Sequence, residues 1–215
     1  MNVGTERIRG WQDIPLDPNG MDKVRGLGKD VAEHQPVTIF SSDLTRAVQT
    51  TEAILFEMGT NVPTVKRMEL RPWNVGKLTG MPVKDIKDEL LRLLKAKTEP
   101  APGGEAYDDF AQRFVTFFVD ITTYARKLGK PVAVVTHSRN VRVVRALVDG
   151  GIHKVMTEAP DKVLLRDEDP VEPAGHGVLI WNGGRWNWTD DTDTIHTPDS
   201  AAKAGRSIHR RLASP

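Results

Sequence analysis

Twice along this chain a short apolar, β-branched run passes through a polar turn straight into a helical pattern. The first passage is Val37-Thr-Ile-Phe40, then Ser41-Ser42-Asp43, then an amphipathic stretch to about Met58. The second is Pro131-Val-Ala-Val-Val-Thr136, then His137-Ser138, then a helical pattern over about 140–148. A strand feeding a helix, repeated, implies a parallel sheet with helical crossovers, because parallel neighbours cannot be joined by a tight turn. In such sheets ligands bind beyond the C-terminal strand ends, and a helix N-terminus with unpaired N–H groups favours anions. Ser41-Ser42-Asp43 supplies candidate capping oxygens and puts Arg46 in the first turn of its helix. His137 holds the equivalent place after the second strand. Together they suit a phosphate or a carboxylate.

The remaining pattern fills out an α/β plan of three layers, α/β/α, with a mainly parallel sheet. Residues 1–19 read as loop, punctuated by Gly4, Gly10, Pro15, Pro18 and Asn19-Gly20. A helix is expected over 21–33, weakened by Gly26 and Gly28, and a second strand over 62–66. The stretch 71–104 is loop-rich, a cap or insertion, with one amphipathic helix over 83–96. Its Ile86, Leu90, Leu93 and Leu94 suit a lid on the pocket or the face of a homodimer. A long helix over 106–128 follows. Residues 178–188 read as a hairpin turning at Asn182-Gly183-Gly184, with Trp186 and Trp188 together on one side, covering the sheet. One domain over 1–196 and a polar, flexible tail over 197–215 complete the expected organisation.

Composition narrows the function. A net charge of +1 argues against a dedicated nucleic-acid binder. With no cysteine, thiolate catalysis and cysteine-bound zinc are excluded, and no metal or cofactor is expected. No apolar run reaches the ~20 residues of a membrane span, and no signal-peptide pattern opens the chain, so the cytoplasm is the expected location.

Four stretches carry a family likeness. Ser41-Ser42-Asp43-Leu44-Thr45-Arg46-Ala47-Val48-Gln49-Thr50 resembles the Ser-Asp-Leu-x-Arg-Ala-x-Gln-Thr signature of the histidine phosphatase superfamily, which includes the cofactor-dependent phosphoglycerate mutases. Arg7-Ile8-Arg9-Gly10-Trp11-Gln12-Asp13-Ile14-Pro15-Leu16 is similar to the family's Arg-x-x-Gly-Trp-x-Asp-x-Pro-Leu stretch. Val134-Val135-Thr136-His137 resembles its second-histidine strand, and Pro102-Gly103-Gly104-Glu105 with Arg113 its Pro-x-Gly-Glu-Ser segment. The resemblance implies phosphomonoester chemistry on a small phosphorylated molecule, through a phosphohistidine whose oxygens are held by arginines and a second histidine. It implies Arg46 as a phosphate-clamping arginine and His137 as the second pocket histidine. Asn2 would match an asparagine just after the nucleophile motif.

Two departures follow from the same comparison. The family's attacking histidine lies in an Arg-His-Gly triplet on the first strand, and from Met1 this sequence has no histidine before His34. The expectation is therefore a chain whose native form starts upstream, truncated or inactive as it stands, with the first, interior strand missing and strand edges left unpaired. The alternative is a non-catalytic phosphate- or phosphoprotein-binding module. In the second departure, Leu70-Arg71-Pro72 puts proline in the slot of the family's proton-donating glutamate. Glu69 is the candidate replacement, with Asp88 and Glu105 behind it, although a solvated surface carboxylate is the plainer reading of Glu69. Arg71 would add positive charge at the rim. His34, His153 and His176 read as surface histidines, with His153 in a loop.

Overall fold

Strand pairing carries out the plan set by the two strand-to-helix passages. The computed structural model describes residues 7–157, 175–182 and 185–189. They fall into one unit up to Gly175 and another from His176. In the first unit β1 (Ile39–Ser42), β2 (Thr64–Arg67) and β3 (Ala133–Val135) form a parallel sheet in the order β2-β1-β3. Ile39 lies beside Thr64 on one flank and Ala133 on the other. The helices are α1 (Pro18–Glu33), α2 (Thr45–Met58), α3 (Val83–Ala96), α4 (Tyr107–Leu128) and α5 (Ser138–Thr157). Short 3₁₀ turns occupy Met68–Leu70 and Gly76–Leu78.

Alternation along β1 divides the layers. Ile39 is fully buried and packs with Ala47 and Ile54 of α2, with Val31 of α1 against the same cluster. Phe40, pointing the other way, meets Phe117 and Tyr124 of α4 edge-on, with ring centroids 6.2 and 5.8 Å away. Helices thus cover both faces, as an α/β/α arrangement requires. Tyr107, Phe110, Phe114 and Phe118 recur at three- and four-residue spacing along α4 and are all buried, with Phe110 stacked on Phe114, Phe114 on Phe118, and Tyr107 tilted against Phe110. At ~1.5–3 kcal/mol for each large buried side chain, this ladder is a main source of the fold's stability.

Several expected boundaries shift for local reasons. α1 starts at Pro18, inside the expected loop, because Asp17 caps it by accepting from Gly20 N–H at 2.6 Å and proline suits the first helical position. Ser41 and Ser42 belong to β1 instead of a capping turn. α5 runs well past residue 148 and takes in His153, expected in a loop; it breaks direction at Gly151, where φ is +69°. The apolar stripe of α3 is not a free face for a second copy, since Ile86, Leu90, Leu93 and Leu94 are buried within this chain.

The second unit contains an antiparallel hairpin, β4 (Val178–Trp181) and β5 (Trp186–Thr189). Trp181 opposes Trp186 with ring centroids 5.3 Å apart, and Trp188 shares the face of Trp186. Asn2, the Gly183-Gly184 turn and the 197–215 tail lie outside the described residues. Among the described residues no helix is long and apolar enough to cross a membrane.

Candidate active site

β1 and β3 are neighbours, so their C-terminal ends bring two segments of distant sequence together. Ser42 ends β1 and His137 follows β3, and His137 Nε2 lies 2.9 Å from Ser42 Oγ. Burial and the nearby Arg46 charge push the His137 imidazole down to about 3, against the pull of Asp43, so it is neutral at pH 7. Arg46, in the first turn of α2, is buried. Its Nη1 donates to Gln12 O at 2.7 Å and its Nη2 to Gly10 O at 3.1 Å. Burial, with Arg9 nearby, holds the guanidinium at about 10 despite Asp13, so it keeps its charge at neutral pH. A guanidinium has five N–H donors, and two of them meet these carbonyls.

The loop carrying Gly10 and Trp11 is fastened on both sides. Ile8 N–H donates to Met81 O at 3.0 Å, Gly80 N–H to Ile8 O at 2.7 Å and Leu16 N–H to Gln49 Oε1 at 2.7 Å. Gly10 sits at φ +44°, and a Cβ there would come within 3.0 Å of Val75 and Thr79 side chains. The expected cap of α2 from Ser41-Ser42-Asp43 is replaced by one from this loop. Leu44 is the N-cap residue, and Asp13 accepts from Thr45 N–H at 2.7 Å and Thr45 Oγ1–H at 2.9 Å. Asp13 is held below the ordinary carboxylate range by those bonds. Two of the sequence signatures are therefore halves of one hydrogen-bonded structure.

Asp43 is drawn instead to the rim. Arg71 Nε and Nη2 each donate to its carboxylate at 2.7 Å, a two-point pair that lowers Asp43 and raises Arg71. The Arg71 guanidinium also lies 4.7 Å from the centre of the Trp11 ring. Behind it the 68–72 backbone is clamped. Arg113 Nη1 donates to Met68 O at 3.0 Å and Glu69 O at 2.9 Å, Thr136 Oγ1 to Leu70 O at 2.8 Å, and Trp11 Nε1 to Pro72 O at 2.7 Å. Asn140 Nδ2 adds a bond to Arg71 O at 3.2 Å.

The candidate proton donors fare differently. Glu69 joins this region through its backbone carbonyl, and its carboxylate makes no hydrogen bond among the described residues. Glu105 accepts from Asn74 N–H and from Arg113 Nη2, each at 2.8 Å, and is engaged in holding the loop. Asp88 is exposed on α3. His34 caps the C-terminus of α1, and His176 belongs to the second unit. Sequence reasoning passed over Ser42 and Asp13 as individual residues. The register of β1 beside β3, with Ser41 opposite Val135, is what brings Ser42 level with the chain approaching His137.

Comparison with known proteins gives the family and the fold. Residues 2–157 match the model of the histidine phosphatase superfamily (branch 1). A 2,3-bisphosphoglycerate-dependent phosphoglycerate mutase of Cytophaga hutchinsonii is 26% identical over 140 residues, covering 63% of this chain and 66% of the relative. Among solved structures, a Bacillus anthracis phosphoglycerate mutase aligns with a TM-score of 0.69 and 21% identity over 88% of this chain and 89% of its own. A mycobacterial glucosyl-3-phosphoglycerate phosphatase aligns at 0.65 and 20% identity, over 87% and 93%. At these identities the two structures speak for the fold alone.

Proposed function

The chain belongs to the histidine phosphatase superfamily, branch 1, and on that footing we propose that Arg46 and His137 bind the phosphoryl group of a small phosphomonoester. The observation that carries this reading is the state of Arg46. It is a buried, charged guanidinium whose hydrogen-bond partners are two backbone carbonyls, with no carboxylate paired to it among the described residues. A buried cation with no ion-pair partner is costly even with Asp13 acting on it from beyond pairing distance, and an anion at the adjoining helix N-terminus would lower that cost.

Within the same reading, the chemistry is the family's two-step transfer. A histidine of an Arg-His-Gly triplet attacks phosphorus, the alcohol leaves, and water then releases phosphate from the phosphohistidine. Arg46 would hold equatorial oxygens and the neutral His137 would donate one hydrogen bond. His137 is a poor candidate for the attacking group, because its Nε2 is engaged by Ser42. Pro72 supplies no acid, and its carbonyl is engaged by Trp11.

Calorimetric titration with inorganic phosphate tests the binding half. The wild-type chain is expected to bind, and Arg46→Lys to bind about 10- to 100-fold more weakly, the worth of a lost charge-assisted bond. Hydrolysis of p-nitrophenyl phosphate tests the catalytic half, comparing the chain from Met1 with one extended upstream by an Arg-His-Gly strand. Turnover confined to the extended form supports the mechanism. Phosphate binding without turnover in either form would leave a phosphate-binding module, and absence of phosphate binding in both would refute the pocket.

A further inference from the structure

The bond between Ser42 and His137 fixes more than a distance. Ser42 is fully buried, and its hydroxyl has one hydrogen to give and two lone pairs to accept with. Leu44 N–H approaches Oγ at 3.4 Å and His137 Nε2 lies at 2.9 Å. The neighbouring Ser41 hydroxyl is committed elsewhere, donating to Ser42 O at 2.8 Å and accepting from Thr51 Oγ1 at 3.0 Å. Among the described residues His137 Nε2 is the group within reach that could accept the Ser42 hydroxyl hydrogen.

Two arrangements satisfy the 2.9 Å separation. If Nε2 carries the proton, it donates to Oγ and the Ser42 O–H is left buried with nothing to accept it. If Ser42 donates to Nε2, the buried hydroxyl and Nε2 satisfy each other, and the ring proton stands on Nδ1, which makes no hydrogen bond among the described residues. An unmade buried hydrogen bond is the more expensive defect, so the second arrangement prevails. The ring proton then sits on Nδ1. Arg46 from α2 and Arg71 from the rim both oppose a second proton on the ring, and only Asp43 favours one.

The structure assigns Ser42 the role of a positioning residue that locks His137 in the Nδ1–H tautomer, so that the neutral ring presents a single N–H donor to an anion. Ser42 itself is too deeply buried to act as a nucleophile. The donor role toward an anion rests on the phosphate-binding reading above, whereas the tautomer does not depend on it.

Long-range ¹H–¹⁵N correlation on the ¹⁵N-labelled full chain at neutral pH reads the tautomer directly, with the His137 signals identified by their loss in His137→Gln. The wild type is expected to show a protonated, pyrrole-type Nδ1 and an unprotonated, pyridine-type Nε2. Ser42→Ala is expected to lose that pattern in favour of Nε2–H or a fast-exchanging mixture, and Ser42→Thr to restore it. A wild-type ring protonated at Nε2, or a Ser42→Ala spectrum identical to wild type, would overturn the assignment. Should Ser42→Ala fail to fold, the wild-type spectrum decides alone. Inorganic phosphate added to the wild type should shift the Nδ1–H proton. The correct tautomer with no such shift would leave the role of Ser42 standing and count against the phosphate pocket.

Discussion

Replacing Glu105 separates a structural carboxylate from a catalytic one. Its side chain and that of Arg113 are only 17% and 16% exposed, so the pair is largely removed from water. Glu105→Ala deletes the acceptor of Arg113 Nη2 at 2.8 Å and of Asn74 N–H at 2.8 Å. Breaking a buried ion pair costs about 3–5 kcal/mol; Arg113 still reaches Met68 O and Glu69 O, which places this case near the lower limit, ~2–3 kcal/mol. The orphaned Asn74 N–H adds ~1–2 kcal/mol. A total of ~3–5 kcal/mol is a large share of the ~5–15 kcal/mol typical of a domain. Glu105→Gln keeps an oxygen for Asn74 N–H and loses only the charge, so ~1–2 kcal/mol is expected. Urea unfolding followed by tryptophan fluorescence measures both. Equal losses in the two variants, or a loss below about 1 kcal/mol in Glu105→Ala, would refute the reasoning.

Two further outcomes follow from the same geometry. Arg71 holds Asp43 below its ordinary pKa of 3.8, so the pair stabilises the fold above the unfolded-state value and that contribution disappears as pH falls through the lowered folded-state value. The stability gap between wild type and Asp43→Asn should accordingly be largest above about pH 5 and shrink as pH falls through the lowered folded-state value, and a gap that widens in acid would contradict the pairing. Gly76 lies at φ +52°, and a Cβ there would overlap the Pro102 carbonyl and the Gly103-Gly104 backbone. Gly76→Ala is therefore expected to cost more than ~2 kcal/mol in thermal unfolding, and a near-neutral result would mean that the 102–104 turn yields freely.

The sheet and the placing of Arg46 and His137 were legible because they depend on short-range pattern. A β-branched run of four residues followed by a helical period identifies a strand end whatever lies elsewhere. What escaped depends on pairings across 28 to 95 residues. Ser41-Ser42-Asp43 has the composition of a cap, yet Ser42 turns to His137, 95 positions away, and Asp43 to Arg71, 28 away. The cap comes instead from Asp13, 32 positions upstream. Capping oxygens are interchangeable in local sequence, and the tertiary neighbour decides which one serves. The α3 stripe failed for the same reason: a periodic apolar face says that something covers it, and here the covering surface is in the same chain.

That dependence on distant partners also governs how Arg46 is aimed. The sheet determines where β1 and β3 end, but it does not orient the Arg46 side chain. Orientation comes from the carbonyls of Gly10 and Gln12, which approach only because Gly10 adopts a positive φ and Asp13 binds Thr45 on the same helix. The loop therefore uses its backbone, and not its side chains, to aim the guanidinium while leaving it without a carboxylate partner. A carboxylate in that position would form an ion pair with Arg46, whereas neutral carbonyls fix its geometry without pairing it, and Asp13 offsets its charge only from beyond pairing distance. The Gly-Trp-x-Asp stretch is best understood as the part of the fold that keeps a buried cation both oriented and available.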